Sequence, residues 1–131
     1  MEVKEFRTGN LLNYTTAEND ILPTRIDWQD LKWLEEDSKG FELAHSKISL
    51  TEDILVKIGF KIVNHIDGYR FYSFRYKGKG GMCNISIFPN YTRVGNNTSI
   101  VHLEYVHQLQ NLLLPLIGLD LIFSEMVVSP V

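Results

Sequence analysis

Hydrophobic and polar positions recur with helical spacing over residues 105–118, and this is the clearest periodic pattern in the chain. The apolar positions share one face of an α-helix; they are Tyr105, Leu109, Leu112, Leu113, Leu116 and Ile117. The polar positions fall largely on the other side; they are His107, Gln108, Gln110 and Asn111. Because a buried leucine side chain contributes about 1.5 to 3 kcal/mol, the pattern predicts a helix that anchors the fold through its leucines.

Capping residues predict a second helix upstream. Asp27 is a suitable N-cap for a helix of about ten residues, and Gly40 lies beyond its end. The side chains expected to face the core are Trp28, Leu31, Leu34 and Trp33.

A third, short helix is predicted before residue 60. It begins at Thr51, or at Ser49 with Glu52 closing a capping box. Its expected stop is Gly59. The side chains expected to be buried are Ile54, Leu55 and Ile58.

Between about residues 60 and 101 the period changes to the alternation typical of strands. Turn residues at 67–68, 77–81 and 96–97 divide this stretch, which predicts an antiparallel meander. The sequence KGKGG at 77–81 is a hairpin turn rather than a phosphate-binding loop, because it joins two strands and lacks the spacing of that motif.

Three more strands are predicted outside the meander, at residues 6–14, 20–26 and 119–128. Pro23 makes the second of them an edge strand, since proline cannot donate to a neighbour. The expected fold is α+β, with an antiparallel β-meander sheet packed on two or three helices in a single domain of residues 1–131.

Composition supports one globular domain. The chain has 131 residues, of which 44% are hydrophobic and 22% charged. The longest apolar run, residues 112–119, is far shorter than the roughly 20 residues that span a bilayer, so no membrane association is expected. The acidic N-terminus without an apolar stretch behind it predicts a cytoplasmic protein. The single cysteine, Cys83, excludes an internal disulfide.

Three blocks of the chain resemble a known family. They are RTGN near the N-terminus, LTEDILVKIGF in the middle and YVHQLQNLLLPLIG near the end. They are similar to R-I-G-N, P-L-T-E-E-x-L-x-K-x-G-F and V-H-Q-L-Q-N-L-Y-F-A-L-T-G, the pattern of small proteins without an established activity encoded by Bacteroidota genomes and their phages or prophages. The matching residues are Arg7, Gly9, Asn10, Leu50, Thr51, Glu52, Leu55, Lys57, Gly59, Phe60, Val106, His107, Gln108, Leu109, Gln110, Asn111, Leu112, Leu116 and Gly118.

The resemblance covers about a quarter of the chain and has one clear departure. Where the family pattern has alanine this chain has Pro115, which lacks an amide hydrogen and clashes with the carbonyl of Asn111. The last helix is therefore expected to kink or end near Leu114. The resemblance implies a mobile-element setting, in which small non-enzymatic proteins often act on host defence.

No catalytic or metal-binding pattern is present in the sequence. The four histidines are His45, His65, His102 and His107. Their spacing does not place two ligands on one helix face. Cys83 lies in an apolar strand and is expected to be a buried, inert thiol. Two interpretations of the block from His107 to Asn111 stay open: hydrogen bonding to backbone groups, or a polar surface.

Charge is distributed unevenly along the chain. Residues 1–56 carry 6 basic and 12 acidic side chains, residues 57–93 carry 7 basic and 1 acidic, and residues 94–131 carry 3 acidic and no basic ones. The overall net charge of −3 therefore hides a strongly polarised molecule.

Within the basic segment, YRFYSFRYKGKG at residues 69–80 interleaves aromatic and cationic side chains. On a strand these alternate between two faces, one with Tyr69, Phe71, Ser73 and Arg75, the other with Arg70, Tyr72, Phe74 and Tyr76. Only one face can pack on helices, so the other is expected to present a stacking platform for single-stranded nucleic acid or anchors for a protein partner. A hairpin with ordinary cross-strand aromatic pairs is the plain alternative. The predicted binding residues are Arg70, Tyr72, Arg75, Lys77 and Lys79.

Residues 27–37 carry five acidic side chains. Such a surface would imitate phosphates and dock on the basic groove of a nuclease, or it is simply a solvated helix face. The second set of predicted binding residues is Asp30, Glu35 and Glu36.

The leading functional hypothesis is a non-enzymatic phage or prophage module that inhibits a host defence effector by protein contact, in the manner of an anti-CRISPR protein. Its partner would be a CRISPR or other defence nuclease, or the guide-RNA complex of that nuclease. The alternative is an accessory protein that binds RNA or other single-stranded nucleic acid through the basic aromatic hairpin. No cofactor is predicted for either.

Overall fold

The computed structural model describes residues 1–64, 67–68, 70–78, 81–89, 91–99 and 103–121. Its first sheet has three antiparallel strands in the order β2, β1, β3, which are Leu11–Thr15 (β1), Ile21–Arg25 (β2) and His45–Lys47 (β3). Pro23 lies on the edge strand β2, as predicted. A 3₁₀ turn at Val3–Glu5 precedes this sheet.

Helix α1 (Trp28–Glu36) begins as predicted at Asp27, whose Oδ1 accepts hydrogen bonds of 3.0 Å from the amides of Gln29 and Asp30. Leu34 is buried, but Trp28 is 63% exposed, so its predicted place in the core is wrong. Trp28 is the first helical residue and precedes the buried stripe that Leu34 belongs to.

A second helix, α2 (Ser38–Ala44), was not predicted, and Gly40 lies inside it rather than beyond the end of α1. Asp37 ends α1 and also caps α2 by accepting a hydrogen bond from the amide of Gly40. A Cβ at position 40 would collide with the capping carboxylate. Glycine at this position therefore permits the cap rather than marking a helix end.

Helix α3 (Glu52–Ile58) begins at Thr51, whose Oγ1 accepts from the amide of Ile54 at 3.3 Å. The Thr51 alternative is thus confirmed. Gly59 ends the helix with a φ of 122°, a conformation that side chains rarely adopt. Leu55 and Ile58 are buried, whereas Ile54 is half-buried.

The predicted meander is confirmed as a five-stranded antiparallel sheet in sequential order. Its strands are Lys61–Asn64 (β4), Arg70–Gly78 (β5), Gly81–Ile87 (β6), Thr92–Val94 (β7) and Asn97–Ser99 (β8). The β5–β6 register runs from Tyr72 opposite Ile87 to Gly78 opposite Gly81. The α+β class is therefore confirmed, with two sheets where one was expected.

Helix α4 (Val106–Ile117) forms where predicted and ends at Gly118, whose φ is 71°. The predicted buried face is confirmed in part, since Leu109 and Leu113 are buried and Ile117 packs against the core. The buried side chains are Val106, His107, Leu109, Gln110 and Leu113. Leu116, expected in the core, is 47% exposed. Two polar residues face the interior because the helix packs against backbone and side-chain groups of the N-terminal segment, described below.

Pro115 lies inside α4, which continues to Ile117, so of the two outcomes predicted near Leu114, a kink or an end, the end is wrong. The amide of Gly118 donates to the carbonyl of Leu114 at 2.8 Å and closes the last turn in spite of the proline. The lost bond to the carbonyl of Asn111 is the only one that proline removes from this ladder.

Replacing the exposed Pro115 with alanine is expected to raise the free energy of unfolding by about 1 to 2 kcal/mol. The gain is smaller than the full penalty of a mid-helix proline because Pro115 is close to the C-terminus and because alanine frees the unfolded chain. Urea denaturation measures the change. Pro23→Ala, on an exposed sheet edge, is the control. Unchanged or lower stability of Pro115→Ala would contradict this prediction.

The core has two parts, and strand β1 lies between them. Leu11 belongs to the larger cluster, which includes Leu109 and Leu113 of α4 and Ile85 of β6. Leu12 points to the opposite face and belongs to a smaller cluster; the other members are Phe6, Ile26, Leu34 and Phe41.

The chain beyond α4 forms no strand over residues 119–121, and the rest of the predicted strand at 119–128 lies outside the described residues. Among the described residues, no helix combines the length and apolar character needed to cross a membrane.

Candidate nucleic-acid interface

Strand β5 divides its side chains between two faces of the sheet. Tyr72, Phe74 and Tyr76 pack against the larger core. Arg75 and Lys77 therefore lie on the opposite face, and both are exposed. We call this face, turned away from the core, the outer face. The sequence-predicted binding residues are thus split between the two faces.

Arg70 and Tyr72 are held by Glu52 at the start of α3. Nη1 of Arg70 lies 2.9 Å from Oε1 of Glu52, and Nε lies 3.1 Å from Oδ1 of Asn64. The Tyr72 hydroxyl donates to the same Glu52 oxygen at 3.3 Å. Burial, reinforced by the Glu52 carboxylate, raises the pKa of Tyr72. These two residues therefore stabilise the contact between α3 and the sheet and do not join Arg75 and Lys77.

The strand register adds two cations to the outer face. Ser73 of β5 lies between Lys61 of β4 and Ser86 of β6, and Arg93 of β7 is opposite Ser86. This row across the sheet has hydroxyl groups in its middle and an exposed cation on either side. Neither Lys61 nor Arg93 was predicted to be a binding residue, because each stands alone in the sequence.

Among the residues that the structure describes, no acidic side chain pairs with these cations. Strands β4 to β8 contain no aspartate or glutamate. Within the described part of the chain, no ion pair involves any of the four outer-face cations; they are Lys61, Arg75, Lys77 and Arg93. The outer face therefore carries an unbalanced positive potential.

Three aromatic rings form a continuous stack on the same face. The ring centroids of Phe71 and Phe88 are 4.7 Å apart with an interplanar angle of 21°, and those of Phe88 and Tyr91 are 4.6 Å apart at 15°. Tyr91 is 37% exposed and the two phenylalanines are half-buried. The hairpin register contained the signal for this stack, because pairing Gly78 with Gly81 places position 88 opposite position 71.

Three residues of the predicted hairpin, Tyr69, Lys79 and Gly80, lie outside the described residues. The KGKGG turn is described only at its ends, where Gly78 and Gly81 pair and close the hairpin.

The acidic set is also divided. Oδ2 of Asp30 accepts from the amide of Asp27 at 2.9 Å, so this carboxylate completes a reciprocal capping box. Burial raises the pKa of Asp30, whereas the hydrogen bond from the Asp30 amide lowers the pKa of Asp27. Glu35 and Glu36 are exposed on α1, which fits the solvated face that the sequence left as an alternative.

The polar residues of α4 make buried hydrogen bonds to the N-terminal segment. Oε1 of Gln110 accepts from the amide of Leu11 at 2.8 Å and from Nδ2 of Asn10 at 3.3 Å. Nε2 of Gln110 donates to the carbonyls of Leu121 at 2.8 Å and Gly9 at 3.3 Å. The hydrogen-bonding interpretation is therefore confirmed for Gln110, whose side-chain amide accepts two and donates two hydrogen bonds within the fold.

A second group of contacts extends this network toward the surface. Nδ2 of Asn10 donates to Oδ1 of Asn111 at 2.8 Å. The carboxylate of Asp120 forms two ion pairs. Its Oδ1 lies 3.1 Å from Nη2 of Arg7, and its Oδ2 lies 2.5 Å from Nη2 of Arg25. The sequence blocks RTGN and V-H-Q-L-Q-N thus contact each other. Their shared role in this chain is to join the N-terminal segment to α4.

His107 is buried, with 1% of its surface exposed, so the polar-surface interpretation is wrong for it. Its Nε2 lies 3.7 Å from Oε2 of Glu5, and its Nδ1 has no hydrogen-bond partner among the described residues. Burial lowers the pKa of His107 to about 4. A neutral imidazole in the core follows from this placement.

The described residues contain no group of three or more His, Cys, Asp or Glu side chains that could hold a metal ion. His65 and His102 lie outside those residues. Cys83 is half-buried against the larger core, which differs from the fully buried thiol expected. Comparison with protein-family models, curated proteins and solved structures found no match to this chain.

Proposed function

We propose that this protein binds single-stranded nucleic acid on the outer face of its five-stranded sheet. The observation that carries the proposal is the coincidence on one face of exposed cations and stacked rings, on strands that contain no acidic residue. The proposal corresponds to the alternative drawn from the sequence, with a different set of side chains.

The two chemistries on the face suit the two parts of a nucleotide. Lysine and arginine neutralise phosphates and release condensed counterions, which supplies affinity without sequence preference. Aromatic rings stack on unpaired bases, each worth about 1 to 3 kcal/mol. Because bases in a duplex already stack on one another, the stack of Phe71, Phe88 and Tyr91 favours a single strand. Serine hydroxyls between the cations add donors for phosphate or sugar oxygens.

Removing outer-face cations is expected to weaken binding and flatten its salt dependence. The test variant carries Arg75→Gln, Lys77→Gln and Arg93→Gln, and the binding partner is a fluorescein-labelled oligo(U) of about 12 nucleotides read by anisotropy. With four phosphate contacts, the log-log salt slope should change from about −3 to about −1, and low-salt affinity should fall by about tenfold or more.

The matched control removes three exposed lysines from the other half of the molecule and changes net charge equally. It carries Lys4→Gln, Lys32→Gln and Lys39→Gln. Equal losses in both triple variants would mean that only net charge matters, and would overturn the proposed site.

The aromatic stack of Phe71, Phe88 and Tyr91 is tested separately. Tyr91→Ala is expected to weaken oligo(U) binding by about 5- to 150-fold without changing the salt slope, because a stacking contact is lost but no phosphate contact. Trp28→Ala, which removes an exposed ring from α1, is the control. Unchanged affinity for Tyr91→Ala would restrict the interaction to electrostatics.

A second candidate function, inhibition of a host defence effector by protein contact, is favoured by a different surface. Residues 1–56, with a net charge of −6, expose several large apolar side chains; they are Ile21, Leu22, Trp28 and Leu43 at 63%, 54%, 63% and 86%. Exposed aromatic and aliphatic groups amid acidic residues suit a basic protein partner rather than a nucleic acid.

Affinity capture from a Bacteroidota host lysate, with and without nuclease treatment, separates the two candidates. A defence nuclease that survives nuclease treatment and is lost with Trp28→Ala plus Leu43→Ala would support inhibition. Loss of all partners on nuclease treatment, and with the outer-face triple variant, would support nucleic-acid binding.

A further inference from the structure

We infer that the cleft between the three-stranded sheet and helix α1 binds an alkylammonium cation. The cleft has a volume of about 300 Å³ and is lined by Tyr14, Thr24, Asp30, Trp33 and His45. This site is separate from the outer face, and the inference does not depend on nucleic-acid binding.

The three-stranded sheet and helix α1 build the walls of the cleft. Tyr14 on β1 pairs with His45 on β3, so their side chains share one face of the sheet. Asp30 and Trp33 are three residues apart on α1 and so lie on one side of that helix. The cleft therefore has aromatic groups on both sides and a carboxylate on one.

The rings are inclined to one another rather than stacked. Tyr14 and His45 have centroids 5.2 Å apart with an interplanar angle of 52°, and Trp33 and His45 are 5.5 Å apart at 77°. Inclined rings at this spacing form a corner, as in aromatic cages that surround a methylated ammonium group. Tyr14 and Trp33 are 39% and 38% exposed, so the corner is open to a ligand.

His45 is fixed in orientation by Phe41. Its Nδ1 lies 3.0 Å from the carbonyl oxygen of Phe41, and its ring stacks on the Phe41 ring at 4.0 Å. In the neutral ring this contact keeps the proton on Nδ1, because a carbonyl can only accept. The His45 ring is therefore held against Phe41 where it lines the cleft.

Asp30 supplies the negative charge. One of its oxygens accepts from the amide of Asp27, and no ion pair to a lysine or arginine involves its carboxylate within the described ranges. Burial disfavours its ionised form, as its raised pKa shows, so a cation in the cleft would stabilise that form. A neutral ligand of the same shape would not.

The size of the cleft suits a small ligand. A volume of about 300 Å³ is at the lower end of ligand pockets. The ammonium group would belong either to a free small amine or to a lysine side chain, methylated or not, of a partner protein. The chemistry that recognises them is the same.

The experiment follows Trp33 fluorescence in a Trp28→Phe background, where Trp33 is the remaining tryptophan. Choline is titrated against its neutral isostere 3,3-dimethylbutan-1-ol, and against sodium chloride at equal ionic strength. Saturable quenching by choline, with at least about tenfold weaker binding of the isostere, is expected. Equal binding of the two compounds, or no saturable change, would overturn the inference.

Asp30→Asn removes the charge while keeping an oxygen that can accept the capping bond, and it should abolish the preference for choline. Glu35→Gln, an exposed acid on the same helix, should leave that preference intact. Should Asp30→Asn fail to fold, Tyr14→Thr provides the second test: it should weaken choline binding by about tenfold, while Tyr14→Phe retains it. Retained choline preference in both test variants would contradict the proposed site.

A final comparison separates the two sources of the ammonium group. Nα-acetyl-trimethyllysine methylamide and its unmethylated form are titrated beside choline. Tighter binding of either lysine derivative assigns the cleft to a side chain of a partner protein. Tighter binding of choline assigns it to a free small amine.

Discussion

Replacing Gln110 with leucine is expected to lower the free energy of unfolding by about 2 to 4 kcal/mol. The side chain is fully buried and hydrogen-bonds two donors and two acceptors, among them the amide of Leu11 and the carbonyl of Leu121. Leucine has similar size, but it leaves these backbone groups buried without partners. Urea denaturation followed by circular dichroism measures the loss.

Two comparisons identify the cause of that loss. Gln29→Leu, the same substitution at an exposed position of α1, should change stability by no more than about 0.5 kcal/mol. Gln110→Glu should be at least as harmful as Gln110→Leu, because a carboxylate oxygen would replace the NH₂ group that donates to Gly9 and Leu121. A stable Gln110→Leu protein would show that the buried network contributes little.

Lowering the pH from about 6.5 to about 4 is expected to lower the free energy of unfolding by about 3 kcal/mol, through protonation of His107. Burial lowers the pKa of His107 from 6.5 to about 4 in the folded state. Between these values the unfolded state binds more protons than the folded state, so the free energy of unfolding rises with pH. The stability is therefore present above the unfolded pKa and is lost as the pH falls toward the folded one.

His107→Phe removes the titrating group while keeping an aromatic ring beside Phe6, which lies 4.6 Å from the imidazole. The variant should lose most of the pH dependence between pH 7.5 and 5. This range avoids the contribution of Glu5, whose pKa is lowered, against the effect of burial, chiefly by its hydrogen bond to Lys47. Nuclear magnetic resonance of the imidazole should give a midpoint near 4 in the wild type. A midpoint near 6.5, or an equal slope in His107→Phe, would contradict the prediction.

His107 and Gln110 show that the V-H-Q-L-Q-N block has a structural role. Gln110 joins α4 to β1, and His107 lies in the same interface near Glu5 of the 3₁₀ turn. RTGN and V-H-Q-L-Q-N therefore join the N-terminal segment to α4. The residues proposed to bind nucleic acid lie outside those blocks, on the outer face of the five-stranded sheet.

The sequence by itself determined the features that depend on near neighbours. Asp27, Thr51 and Gly59 begin or end helices where predicted, because capping involves groups within about four residues. The meander was likewise predictable, because polar and apolar residues alternate along its strands and turn residues separate them. Helix α2 escaped prediction because one residue, Asp37, serves both helices and leaves no loop between them.

Only the tertiary structure decided which side chains are available for binding. Alternation divided residues 70–77 into two faces, but the choice of the outer one depended on how α3 and α4 pack, and Glu52 then occupied Arg70 and Tyr72. Likewise, Gln110 is buried against Leu11, which lies 99 positions away in the chain, and no local pattern indicates that contact. Contacts between such distant groups contribute nothing to local periodicity, so a polar residue with buried partners has the same sequence signature as one in water.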